Sequence, residues 1–162
     1  MRKLSKKDLV APALLVGLAL IPMLGGAMRL ASMSEPATAE TARFVAAPLL
    51  VLVHLFAATL YSVIGAFQFS EGLRRRWPRW HRTAGTLVAA SGLAAAVSGV
   101  WMTFQPIPIG MQGPILFGVR LLVGIAMACS IVAGLYHIAR RDIARQEAWM
   151  VRAYARGMGA GT

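Results

Sequence analysis

Apolar residues gather in four runs, and the polar residues between them fall into short connections. The runs are Val10–Met28, Phe44–Phe69, Thr83–Gln105 and Pro114–Ile138. A bilayer core about 30 Å thick needs about 20 helical residues to cross, and each run meets or nearly meets that length. Backbone amides inside lipid must be bonded within their own segment, so the runs are predicted as helices rather than strands. The pattern therefore predicts an all-α, four-helix transmembrane bundle forming a single integral membrane domain over 1–162. Pro36 marks one exposed connection, and Pro106, Pro108, Gly110 and Gly113 mark a tight turn. Pro114 suits the first turn of the fourth helix, where its missing N–H costs nothing.

Two segments carry a finer pattern. In the third run Gly85, Gly92 and Gly99 recur every seven residues, with Ser91 and Ser98 beside them. That stripe lets a neighbouring backbone approach closely and marks this helix as the predicted centre of the bundle. After the fourth run, about 140–156 reads as a further helix. At 100° per residue, Arg141, Arg145, Arg152 and Arg156 share one narrow stripe, with Ile143, Met150 and Tyr154 roughly opposite. Such a helix is expected to lie along the cytoplasmic surface, its apolar side in the acyl boundary and its arginines at the phosphates. A solvated basic helix ending in an irregular 157–162 stretch is the plainer reading.

Composition agrees with the pattern: 57% of the 162 residues are hydrophobic and 14% charged, against about 25% charged in ordinary soluble domains. The net charge of +11 would suit nucleic acid, but its placement argues otherwise. The basic residues sit in the amino terminus (Arg2, Lys3, Lys6, Lys7), the second connection (Arg74, Arg75, Arg76, Arg79, Arg82) and the tail. The first connection has arginines only at its ends, Arg29 and Arg43, with Glu35 and Glu40 between, and the third has no charge. By the positive-inside rule both termini and the second connection face the cytoplasm. The cations are read as topology determinants and partners of anionic lipid headgroups, with no nucleic-acid role. Trp77, Trp80, Tyr136 and Trp101 fall at the two interfaces, as amphipathic aromatics do. Cys129 is the only cysteine, which excludes intrachain disulfides and thiolate metal sites. Met1–Lys7, the first run and Ala31-Ser32-Met33-Ser34 have the layout of a signal peptide. The run is too long for that, and Arg29 interrupts it, so a retained span is expected.

Ionisable side chains inside a span are costly and therefore informative. His54 lies in the second run and Arg120 in the fourth, both in the half of the bilayer away from the basic connections. Tyr61, seven residues beyond His54, shares its face. The three side chains either form a polar intramembrane line, or His54 bonds between helices while Arg120 snorkels outward. His81 and His137 fall at the opposite interface. Paired imidazoles on neighbouring helices hold haem iron in membrane cytochromes. His54, His81 and His137 are thus candidates for haem b, with Arg82, Arg140 and Arg141 near enough to meet propionates, although three histidines do not complete two axial pairs. No catalytic constellation is present: Asp8, Glu35, Glu40, Glu71, Asp142 and Glu147 all lie outside the apolar runs.

The stretch from His54 through Gly65-Ala66-Phe67-Gln68-Phe69, with Leu73-Arg74 and Trp80-His81-Arg82-Thr83-Ala84-Gly85, resembles a bacterial multi-pass membrane family. That family is catalogued as domain of unknown function 2306. Trp149-Met150-Val151-Arg152-Ala153-Tyr154-Ala155 resembles its signature ending. Gln68, His81, Arg82, Gly85, Trp149, Met150, Arg152 and Tyr154 carry the resemblance, which covers about 44–162. It implies a multi-pass protein of the bacterial inner membrane with no established activity. The chain departs from the family at Gln146, where a histidine is usual, and in stopping where members tend to continue with further spans. The resemblance thus implies a shortened member, or helices supplied by another subunit. Three roles stay open: a haem-binding electron-transfer subunit, a protein that binds or translocates a small solute or protons, and an assembly partner of other membrane subunits or of its own copies.

Overall fold

The computed structural model describes residues 6–34, 36, 38, 45, 47–105 and 113–161. The expected turn at Pro106, Pro108 and Gly110, like Glu35, Glu40 and Arg43, lies outside them. Among the described residues the fold is all-helical. Its elements are α1 (Lys6–Ser32), α2 (Pro48–Phe67), α3 (Glu71–Arg76), α4 (Pro78–Thr103), α5 (Pro114–Ala139) and α6 (Ile143–Gly161). Four of them, α1, α2, α4 and α5, are long and apolar enough to cross a membrane, and α6 is not.

Prolines set three of the boundaries. Pro48, Pro78 and Pro114 each open a helix where a free N–H is not needed. Pro78 starts α4 about a turn earlier than the expected Thr83. The second connection also holds a helix that the run pattern did not predict. Ser70 caps α3, its hydroxyl accepting the Leu73 N–H at 3.3 Å, and Glu71 in the first turn pairs with Arg75 at 2.7 Å.

Neighbouring spans run antiparallel, and their close contacts fix the register. Gly26 of α1 meets Leu55 of α2. Down α2, His54 meets Ala95 and Ser98, Tyr61 meets Gly92, and Gln68 meets Gly85. Between α4 and α5, Gly124 faces Val100 and Gly92 faces Ile131. One end of the bundle therefore collects the basic segments, called here the basic end; the other collects the C-termini of α1 and α4 and the N-termini of α2 and α5. α4 packs on both α2 and α5, and its small residues Ala89, Ser91, Gly92, Ala95, Ala96 and Ser98 are buried, as the glycine stripe predicted. Large apolar side chains cover the outside, with Ile115 82% and Leu49 73% exposed, a surface suited to lipid rather than water.

The tail differs from its expected position. α6 does not lie flat at an interface but folds back along α5. Met150 packs against Gly134, Arg156 reaches Ser130, and Gly157 meets Met127. Ala153, Tyr154 and Met158 are buried, so the face expected in the acyl boundary is part of the core. The cause is local. Arg141 adopts φ 61°, the left-handed turn that ends α5, with its N–H on the Ile138 carbonyl and the Asp142 N–H on that of His137. Asp142 then caps α6, accepting the Arg145 N–H at 3.2 Å. A helix stop and a helix start back to back reverse the chain within three residues. Residues 157–161 continue the helix rather than ending it irregularly.

Candidate functional site

Between α1, α2, α4 and α5, with the end of α6 beneath it, lies a cavity of about 600 Å³. On α2 its wall is one helix face: Ala47, Leu50, Val51, His54, Ala58 and Tyr61. From Ala47 to Ser62, which also lines it, the cavity follows α2 for about 22 Å at 1.5 Å per residue. His54, Tyr61 and Arg120, read from the sequence as an intramembrane polar set, all line this one space.

His54 is held by α4. Its Nδ1 lies 3.1 Å from the Ala95 carbonyl and 3.0 Å from the Ser98 hydroxyl. A carbonyl can only accept, so Nδ1 carries the proton and donates to Ala95, leaving Nε2 as the lone-pair nitrogen. The Ser98 hydroxyl is itself directed at the Ala94 carbonyl at 2.6 Å, consistent with that tautomer. Gly99 makes the contact possible: a Cβ there would stand 3.1 Å from His54 Cε1. An interhelical hydrogen bond and a place on the cavity wall are thus both true of this residue.

Tyr61 closes the deep end. It is 2% exposed, and its ring is wedged against Gly92 and Gly157 and tilted on Tyr154 at 5.5 Å between centroids. Its hydroxyl is buried without a hydrogen-bond partner among the described residues. Arg120, in the second turn of α5, lines the cavity at the other end, as does Arg29 in the last turn of α1. Sequence reading left Arg29 as a loop boundary, because the apolar run appeared to stop at Met28; the helix continues to Ser32.

The remaining haem candidates are elsewhere. His81 opens α4, 17 residues before the Ser98 that holds His54, which puts the two imidazoles about 25 Å apart along the helix. They cannot share an iron. His137 shares the basic end with His81 but faces Asp142 at 3.5 Å, whereas His81 lies near Arg74 and Glu147. Arg82, Arg140 and Arg141 are exposed, Arg140 resting over the Tyr136 ring at 4.6 Å. Among the described residues, no group of three or more His, Cys, Asp or Glu side chains is placed to hold a metal ion.

Below the cavity the tail provides polar contacts that sequence reading missed. Tyr154 donates its hydroxyl to the Ser62 carbonyl at 2.6 Å, and burial pushes its pKa up to about 12. Arg156 donates to the Ser130 hydroxyl, which in turn donates to Ala126. Ser130 lies nine residues, about 14 Å, from the end of α5, so a guanidinium sits well inside the bundle. The signal was the interval Ala153–Gly157, two small residues four apart, of which Ala153 is buried and Gly157 meets Met127 on α5.

Several of the residues that carry the family resemblance meet in space. Gly65 lies under the Tyr154 ring, where a Cβ would come within 2.5 Å of Cε2. Phe69 contacts the same ring edge-on at 5.0 Å, and the Gln68 carboxamide lies over Gly85. Arg74 reaches Glu147 at 3.7 Å. The family model described as "Predicted membrane protein (DUF2306)" matches residues 51–162. The chain belongs to this family. No curated protein and no solved structure matches it. For this DUF2306 chain the two halves of the motif, on α2–α4 and on α6, thus form one interlocked cluster around Tyr154. Arg152, over the Trp149 ring at 4.8 Å, stays on the outside. The motif marks the packing of α6 beneath the cavity, while the cavity wall above it draws on α1, α2, α4 and α5. The chain is a multi-pass membrane protein whose spans contact lipid.

Proposed function

We propose that this protein binds a small solute within the bilayer, in the cavity lined by His54, Tyr61 and Arg120. One observation carries the reading. Three polar side chains from two spans, each costly to place in lipid, converge on a single space the size of a small-molecule site. Tyr61, packed into Gly92 and Gly157, seals the deep end, which favours binding over a continuous path for solute or protons. His54, held 25 Å or so from His81, has no second imidazole at its depth, and that favours solute over haem.

The test is native mass spectrometry of protein extracted in mild detergent. A bound small molecule is expected in the wild type and lost in Gly99→Leu, which fills the space beside His54. An equal ligand load in both proteins would remove the cavity from consideration.

The same reading places the basic end at the cytoplasm of a bacterial inner membrane, with the cavity in the outer half. Its support is the arginine distribution. In a Cys129→Ser background, a cysteine at Trp101 is expected to react with a membrane-impermeant maleimide in intact cells, and one at Arg82 is not. The opposite labelling would invert the orientation.

A further inference from the structure

Three arginines of the basic segments have carboxylates of this chain beside them. Arg74 meets Glu147 at 3.7 Å, Arg75 meets Glu71 at 2.7 Å and Arg145 meets Asp142 at 3.4 Å. Arg152 and Arg156, the next two arginines of α6, pair with no carboxylate among the described residues. Arg152 is exposed and rests over the Trp149 ring at 4.8 Å. Arg156 is half-buried and donates to the Ser130 hydroxyl. Neither contact supplies a countercharge. Four residues apart, the two arginines are neighbours on one helix face. Because α6 folds back along α5, that face descends into the depth of the spans, and Ser130 puts the Arg156 guanidinium about 14 Å from the end of α5.

We propose that this outer face of α6 seats the headgroup of an anionic phospholipid, its phosphate held by Arg152 and Arg156. The site is separate from the cavity, whose wall includes neither arginine. Three observations support it. First, the charge: a cation at the depth of the spans is costly without an anion, and guanidinium offers paired donors that fit phosphate oxygens. Second, the approach: Ala148, Ala155 and Gly159 are exposed and fall within about 60° of Arg152 at 100° per residue. Their short side chains leave room for a headgroup beside the arginine. Third, the surroundings: α6 meets α5 at Gly134, and Val132 and Leu135 beside that contact are exposed, a surface for acyl chains. A second copy of the chain fits less well. Among the described residues its acids are Asp8 in the first turn of α1, Glu71 of α3, Asp142 and Glu147, all at the basic end. None would reach the depth of Arg156.

Trp149, beneath the Arg152 guanidinium, serves as the reporter. With Trp77→Phe, Trp80→Phe and Trp101→Phe it is the one tryptophan left of four, and bromine on a lipid tail quenches its fluorescence on contact. The protein is placed in equal mixtures of phosphatidylglycerol and phosphatidylcholine, with one or the other brominated. Phosphatidylglycerol is expected to occupy the site at least about tenfold more often, and Arg152→Gln and Arg156→Gln each to lower that ratio about fivefold, the scale of one arginine near anionic lipid. The double variant should bring the ratio close to one, and Arg156→Lys, which keeps the charge, should retain most of the preference. Native mass spectrometry from mixed nanodiscs tests the chain with its tryptophans intact. Phosphatidylglycerol should remain bound to that protein and be lost from the double Gln variant. Equal quenching by the two lipids, or a preference unchanged in the double variant, would overturn the proposal. A lipid-free dimer in the mass spectrum would make a second copy the occupant and overturn it as well.

Discussion

The two halves of the bundle use the same helix in opposite ways. At Gly92, in the basic half, α4 receives the Tyr61 ring and the Ile131 side chain so closely that no Cβ fits. Seven residues on, at Gly99, the same stripe meets only the edge of His54, and the space beyond is cavity. In the basic half α6 fills the interior with Tyr154, Gly157 and Met158. In the other half the interior is lined by His54, Arg29 and Arg120 instead. A small-residue stripe is therefore not one device. Where large side chains interlock over it, it locks helices together; where they do not, it leaves room.

The strongest test of this contrast is to add one methyl group on the locked side. Gly92→Ala puts a Cβ 2.5 Å from Tyr61 Cε2 and 2.8 Å from Ile131 Cδ1, both held in a packed core. Overpacking of this kind costs about 2–3 kcal/mol, and we expect a large fall in the thermal unfolding midpoint in detergent. A stable Gly92→Ala protein would mean that the basic half is not locked.

Next in size is the half-buried Arg156. Ser130→Ala removes the hydroxyl that accepts from Arg156 and should cost about 1–3 kcal/mol, because a charged donor loses its partner inside the bundle. Adding Arg156→Met to Ser130→Ala should recover most of the loss, since the orphaned charge is then gone. Additive losses in that double-mutant cycle would show that the two side chains are not coupled.

Tyr154→Phe keeps the ring contacts with Phe69 and Tyr61 and removes only the bond to the Ser62 carbonyl. The expected cost is about 1 kcal/mol. It also has a pH signature. Burial raises the Tyr154 pKa to about 12, above its ordinary value. The hydroxyl therefore stabilises the fold fully below that ordinary value, and its contribution is lost as pH climbs towards 12. Melting curves from pH 9 to 12 should fall more steeply for the wild type than for Tyr154→Phe; parallel curves would place the phenol in water.

Much of this architecture is legible in the chain because lipid imposes a simple rule of apolar length. The four spans, the small-residue centre and the shared depth of His54 and Arg120 all follow from it. What escapes depends on chemistry that the rule does not cover. The arginines of α6 suggested a surface helix, whereas Arg156 is accommodated inside by Ser130 and the opposite face by Gly134 and Met127. The fold-back itself rests on Arg141 in a backbone conformation usually given to glycine. The cavity was invisible because it depends on helix rotation: counting residues gives depth along an axis, not which side chains face each other. Arg29 joined it only because α1 extends past the end of its apolar run.

The smallest expected effect lies on the open side and completes the comparison. Gly99→Ala places a Cβ 3.1 Å from His54 Cε1, a contact that the neighbour must relieve by a few tenths of an ångström. In a packed core that would be costly, but His54 borders the cavity and its ring has space to yield. Alanine also gains about 0.5–1 kcal/mol over glycine within a helix. The two terms nearly cancel, so the thermal midpoint should move little, in contrast to Gly92→Ala one stripe position away. The shift of the ring should instead register at Nδ1, whose bonds to Ala95 and Ser98 define its tautomer. Nitrogen-15 chemical shifts of a His54-labelled sample report that change directly. A large loss of stability in Gly99→Ala, equal to that in Gly92→Ala, would mean that both halves are packed alike and that the cavity closes in the membrane.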